Sequence, residues 1–338
     1  MLYVTTRCDR DAFTAHRALF ENRGPDGGLY LPFRTPKFSQ EELDTLLDEP
    51  FSDCVADVLN LLFGTKITAW DVEYAIGRRP FALKNLGHRV MIAELWRNPD
   101  WQFQRTVQDL TRTLRGEDGQ CGDWPRVAVG AAVLFGLFGE LKQAGNSHDV
   151  DICGISGDFS MPMSAWYARQ WGLPVGNIVC CCNENNGLWD LICHGQMRTD
   201  AVSTPTATPD ADVTVPVGLE RLVYQAGGVE EVRRYLDLCR QGRMYAPSDA
   251  VLAKLRQGIF VSVVSSQRVS STISNFYRTT RYPLSPYTAL CYGGLLDYRA
   301  KTGETRPCLL LAEKAPVCDR ETVAKAIGVS EAEIEKMM

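Results

Sequence analysis

The stretch Asp151–Cys182, DICGISGDFSMPMSAWYARQWGLPVGNIVCCC, decides the fold. Asp151–Ile155 and Asn177–Cys182 are short apolar runs bounded by turn residues, as buried strands are. Between them Met161–Trp171 reads as a helix stopped by Gly172 and Pro174. Strand, helix and strand make a βαβ unit, which calls for a parallel sheet. The loop Ser156-Gly157-Asp158-Phe159-Ser160 then stands at the carboxyl end of the first strand, where open α/β sheets bind ligands.

On the amino side, Val90–Leu95 reads as another strand and runs into Glu94–Leu114, ELWRNPDWQFQRTVQDLTRTL. Phe103, Val107, Leu110 and Leu114 recur at helical spacing, so one face of that helix is buried and its first turn, containing Gln104, projects from a loop. The segment RGEDGQCGD follows, and Asp123 with Pro125 opens a helix that is apolar on nearly every face. Its most apolar part, Val127–Phe138, is shorter than the roughly 20 residues a membrane span needs and reads as a core helix.

Further upstream, a strand at Leu2–Thr5, a helix over Asp11–Phe20 and a turn at Gly24–Pro32 precede three helices near 40–48, 52–63 and 68–76. Ser39 with Glu42 forms a capping-box signature for the first of these, and Thr68 with Asp71 marks the start of the third. Together residues 1–88 read as an N-terminal lobe and 89–338 as the α/β domain. Downstream, Asn183–Gly187 ends the second strand of the βαβ unit, and a helix reaches His194. A loop spans 201–216, helices fall near 218–226, 228–241 and 248–256, and a strand covers Ile259–Val264. A helix from Pro286, a strand over Cys308–Ala312 and two helices capped by Asp319 and Ser330 complete the chain.

The 338 residues carry a formal net charge of -5, with no basic patch, which argues against nucleic acid as a partner. The opening MLYVTTRCDRD lacks the charged-then-apolar pattern of a secretory signal, so a cytoplasmic location and no membrane partner are expected. Twelve cysteines then read as reduced thiols. Cys180, Cys181 and Cys182 alternate between faces of a strand and cannot all bind one metal. Adding Cys153, Cys193 and His194 makes a metal site conceivable. No CxxC pair exists, however, and small buried residues with no metal is the preferred reading.

Read together, the turn Pro25–Tyr30 (PDGGLY), Asp123-Trp124, Cys182-Asn183-Glu184-Asn185 and Pro286-Tyr287-Thr288-Ala289 resemble, in order, signatures of the threonine synthases. The resemblance covers almost the whole chain. It implies an α/β fold of type II among the pyridoxal-phosphate (PLP) enzymes, the tryptophan synthase β-like fold with its parallel-sheet large domain. The cleft it implies is formed by Gly157, Asp158, Phe159, Ser160, Asn183, Glu184, Asn185 and Glu313.

The chain departs from that family at the places that carry its chemistry. Where the family motif ends in the lysine that forms an imine with PLP, the resemblance puts Gln104, whose amide nitrogen is not nucleophilic, followed by Arg105, whose guanidinium stays protonated. The family's phosphate loop is here Gly157-Asp158-Phe159-Ser160-Met161. A carboxylate about 4 Å from a phosphate costs about 4 kcal/mol at an effective dielectric near 20. Glu313 stands where the family hydrogen-bonds the pyridine nitrogen. Between 115 and 123 the family's small mobile domain is largely deleted, and with it the means of excluding water. Trp96 and Trp101 are expected to fill the cofactor's space.

These departures imply a pseudoenzyme with no cofactor expected, acting as a scaffold, an interaction partner or a small-ligand binder. Asp158 points to an amino acid or amine as that ligand, and a homodimer or a related synthase as partner. The alternative is a PLP-dependent lyase of altered chemistry acting on O-phosphohomoserine or a related amino acid, with a desolvated Lys314 as its nucleophile or base.

Overall fold

The computed structural model describes all residues 1–338. The βαβ unit is present: β6 (Val150–Ile155), α7 (Ser160–Trp171) and β7 (Val175–Cys182), with β6 and β7 paired in parallel. They lie in a six-stranded sheet of order β4-β5-β9-β6-β7-β8, where β4 is Leu83–Asn85, β5 Val90–Glu94, β8 Ile259–Val263 and β9 Cys308–Ala312. Only the β4–β5 pair is antiparallel. Insertion of the last strand, β9, between β5 and β6 creates a crevice at the carboxyl ends of those three strands.

A second, three-stranded antiparallel sheet has the order β2-β1-β3, with β1 Leu2–Thr5, β2 Cys8–Thr14 and β3 Tyr30–Pro32. Of the helix expected over Asp11–Phe20, only α1 (Ala15–Phe20) is helical, and Asp11–Thr14 belongs to β2. Pairing with β1 overrides local helical propensity there. Helices α2 (Gln40–Asp48), α3 (Phe51–Phe63) and α4 (Ala69–Ile76) follow, and the capping boxes Ser39–Glu42 and Thr68–Asp71 are both formed.

Helices α5 (Phe103–Arg115) and α6 (Asp123–Gln143) are joined directly by residues 116–122, with no further domain between them. The four periodic residues of α5 are buried. Helix α6 is long and apolar enough to cross a membrane by composition, but 89% of its apolar window is buried inside the protein, between α3 and α7. The helix opens at Asp123, as the sequence indicates, with Gly122 at its N-cap.

After β7 come α8 (Gly187–Trp189), continued by one π turn to His194, then α9 (Leu219–Arg240), broken at Gly228, and α10 (Asp249–Leu255). Helix α11 (Ser266–Thr280) was not anticipated, although Ser265 caps it and Val269, Ile273 and Phe276 form its buried stripe. Helix α12 (Pro286–Thr302) covers the sheet, and α13 (Arg320–Ile327) and α14 (Glu331–Met337) end the chain. One apolar cluster of 67 residues runs from Tyr3 through α3, α6 and α7 to Leu311, and a second of 23 lies between the other face of the sheet and α11, α12 and α13.

Candidate functional site

A cavity of about 380 Å³ opens at the carboxyl ends of β5, β9 and β6. Backbone bonds fix its frame. Phe103 N donates to Glu313 O at 2.7 Å and Ala315 N to Trp101 O at 3.0 Å, which locks the start of α5 against the end of β9. On the opposite wall, Gly157 (φ 44°) and Phe159 (φ 71°) turn the chain from β6 into α7. Gly218 N donates to Asp158 O at 2.9 Å and holds that turn in place. A Cβ on Gly218 would stand 2.9 Å from the same oxygen, so glycine is required there.

Gln104 lines the cavity from the first turn of α5. Arg105 is turned away, bonded to Asp109 and Asp100. Gly157, Asp158 and Ser160 line the facing wall, and Glu313 and Lys314 the third. Ser156, from the same loop as Gly157, completes the facing wall, and Gln102, Arg126, Asp210 and Tyr287, which the sequence reading had not assigned to the cleft, complete the polar lining. These last four come from four separate segments, and no local signal in the sequence marks their convergence.

Asp158 is not a free carboxylate. Its Oδ1 accepts from Ser160 N at 2.9 Å and Ser160 Oγ at 2.6 Å, and its Oδ2 is paired with Arg126 Nη1. The amine site expected at Asp158 is thereby corrected, because both oxygens are committed within the chain. Lys314 Nζ stands 2.5 Å from Asp210 Oδ2 and over the Tyr287 ring at 4.8 Å. Burial pulls its pKa down, but Asp210 and Tyr287 outweigh burial and raise it above the ordinary lysine value. A charged, paired ammonium is not the neutral nucleophile expected of a desolvated lysine.

Glu313 behaves oppositely. Burial, reinforced by Asp158 and Asp210, pushes its carboxyl up to about 8, against the pull of Arg126 and Lys314. At neutral pH the group is largely an un-ionised acid.

Four expected cleft residues lie elsewhere. Phe159 is buried in the core and faces no cavity. Asn183 Nδ2 donates to Thr206 Oγ1, Thr208 Oγ1 and Asp212 Oδ1, and its Oδ1 accepts from Asn185 N and Nδ2. The two asparagines thus anchor the loop 204–212, whose Asp210 reaches the cavity. Glu184 accepts from Ser266 N at 2.7 Å at the start of α11.

Trp96 and Trp101 do not fill the cavity either. Trp96 is buried in the cluster on the other face of the sheet, Trp101 is partly exposed, and neither lines the space. Of the residues that made a metal site conceivable, Cys193 and His194 lie outside the group that converges. Cys153, Cys181 and Cys291 do come together, with Cys153 Sγ 3.7 Å from Cys181 Sγ and 3.2 Å from Cys291 O. All three are buried between the sheet and α12.

Residues 2–79 match the family model described as the threonine synthase N terminus. The threonine synthase of Pseudomonas aeruginosa is 24% identical over 212 residues, 62% of this chain and 44% of that protein. In sequence the chain is similar to the threonine synthases.

Human threonine synthase-like 1 is 26% identical over 145 residues, 42% of this chain and 19% of that protein, so this chain matches less than half the length of those two curated relatives. The PLP-bound threonine synthase of Brucella melitensis superposes with a TM-score of 0.85 at 19% identity, covering 97% of this chain and 92% of that one. The yeast threonine synthase gives 0.84 at 16%, covering 99% and 93%. The architecture is therefore that of the fold type II PLP-dependent enzymes.

The residues of this chain do not fit an imine-bound PLP. The first turn of α5 offers an amide, and the one lysine of the cavity is tied to Asp210. At the N-terminus of α7 the first backbone N–H is already bonded to Asp158, so a phosphate would meet a carboxylate where it needs a donor.

Proposed function

We propose that this chain is a pseudoenzyme of the threonine synthase family, a small-ligand binder without lyase activity that acts in the cytoplasm alone, as a homodimer or beside a related synthase. The observation that carries this reading is the cavity's own amine supply. Gln104 stands at the presenting position, and the cavity's one lysine, Lys314, is a charged partner of Asp210. An imine needs a neutral amine, whereas Asp210 and Tyr287 favour the charged form of Lys314. The direct link between α5 and α6 supports the same reading, since nothing there closes over the cavity.

The test is addition of PLP followed by borohydride. The expected result is no visible imine band, no reduced cofactor on the chain and no phosphate released from O-phosphohomoserine. A reducible band would overturn the proposal. The second reading, a PLP-dependent lyase of altered chemistry, rests on Lys314 lining the cavity. Under it the band would form and disappear in Lys314→Met.

A further inference from the structure

Three polar side-chain atoms of residues lining the cavity have no hydrogen-bond partner in the chain: Ser156 Oγ, Arg126 Nε and Glu313 Oε1. Ser156 is 1% exposed, so its hydroxyl has no compensation from bulk water. A buried polar atom left unpaired costs about 1–3 kcal/mol, and a site that keeps three of them has room for a ligand to supply what is missing.

Their chemistry says what that ligand offers. Arg Nε–H can only donate, and a hydroxyl can donate. The Glu313 carboxyl, pressed by Asp158 and Asp210, holds its proton at neutral pH and donates as well. Both oxygens of Asp158 are committed to Ser160 and Arg126, and Asp210 Oδ2 to Lys314. Three unpaired donor groups in one cavity call for an anion.

The charge balance limits its size. Arg126 and Lys314 are offset by Asp158 and Asp210, and a neutral Glu313 leaves the cavity without net charge, able to take a single negative charge more readily than two. A phosphate dianion would also face Asp158. The remaining wall is apolar, formed by Phe103, Val107, Ile155, Met161 and Val213.

We propose that the cavity binds a small monocarboxylate with a short aliphatic tail, its carboxylate held by Ser156, Arg126 and Glu313 and its tail lying on Phe103, Val107 and Met161. This deepens the ligand-binding reading above and rests on it only in that PLP does not fill the same space.

Calorimetric titration with butyrate, butylamine and methyl phosphate tests it. Butyrate is expected to bind below pH 8 and the other two not to bind. Ser156→Ala should weaken butyrate about tenfold, the worth of one hydrogen bond to a charged group. Above about pH 8 affinity should fall as Glu313 ionises. The groups facing it are Asp158 from the β6–α7 turn, Asp210 from the loop 204–212, Arg126 from α6 and the adjacent Lys314. Against the pull of burial, their aspartate partners raise the pKa values of Arg126 and Lys314, so neither cation loses its charge in that range.

Glu313→Gln, which keeps a donor but cannot ionise, should bind butyrate with that pH dependence removed. Tighter binding of butylamine or methyl phosphate than butyrate would overturn the proposal, as would no butyrate binding by the folded parent chain. A reducible PLP band would instead sink the non-enzymatic reading, so the two failures are distinguishable.

Discussion

At the scale of single residues, Glu313 determines how the cavity responds to pH. A carboxyl whose folded-state value is raised from 4.5 to about 8 binds its proton more tightly in the folded chain than in the unfolded one. Its contribution to stability is fully present below the unfolded value and is lost as pH rises through the folded one. Each unit is worth about 1.4 kcal/mol, so a loss of a few kcal/mol between pH 4.5 and 8 is expected. Denaturant unfolding at pH 5, 7 and 9 should show Glu313→Gln close to the parent at pH 5 and more stable than it at pH 9. A parent whose relative stability rises over that range would contradict the assignment. Gln104, Gly157, Asp158, Ser160 and Glu313 were legible as cavity-lining residues because each lies in a stretch that resembles a family signature, and Lys314 because it follows the end of a strand. Arg126 was not, because its role depends on α6 crossing the β6–α7 turn, 32 residues away. Asn183 and Asn185 were misplaced for the converse reason. They follow a strand end that faces the sheet's ligand edge, but their amides are consumed by Thr206, Thr208 and Asp212.

At the scale of elements, α6 is the axis of the molecule, and its glycines set how closely its neighbours approach. A Cβ on Gly130 would come within 2.9 Å of Met161 Sδ and closer still to Ser164 Oγ, and one on Gly136 within 2.6 Å of the Phe51 ring. Replacing a mid-helix glycine by alanine ordinarily gains about 1 kcal/mol in propensity. Here overpacking should outweigh that gain, and Gly130→Ala is expected to destabilise by about 1–2 kcal/mol. Urea unfolding of the variant measures it, and a more stable variant would show that α7 can retreat from α6 without cost. Capping obeys the simpler rule. Ser39→Ala removes the hydroxyl that accepts from Glu42 N and should cost about 1 kcal/mol in the same measurement. Elements of this kind were readable, since a capping box, a Gly–Pro stop or a long apolar stripe is a local event. The β2 strand was not, because its residues are mostly exposed and only pairing with β1 makes them extended. Helix α11 was passed over because Ser and Thr dilute its stripe, and only the buried Val269, Ile273 and Phe276 expose it.

At the scale of the whole molecule, the N-terminal lobe and the parallel sheet share the larger apolar cluster, which reaches from Tyr3 and Cys54 through α6 and α7 to Cys180 and Leu311. A cluster of that extent leaves no plane along which the lobe can detach without exposing α6, whose apolar surface is useful only while covered on both sides. The seven buried cysteines provide reporters of this coupling: Cys54 in the lobe, and Cys153, Cys180, Cys181, Cys182, Cys291 and Cys308 in and behind the sheet. Burial raises the thiols of Cys54 and Cys180, which keeps them protonated and unreactive in the folded state. A thiol-reactive dye should therefore label the exposed Cys318 at once and Cys54 and Cys180 only through opening of the structure. If lobe and sheet unfold together, the opening free energies read at Cys54 and Cys180 coincide and fall with urea along one slope. Labelling of Cys54 at markedly lower urea than Cys180 would mean that the lobe opens on its own. In that case the cavity would have to be supported by the sheet and α5 alone.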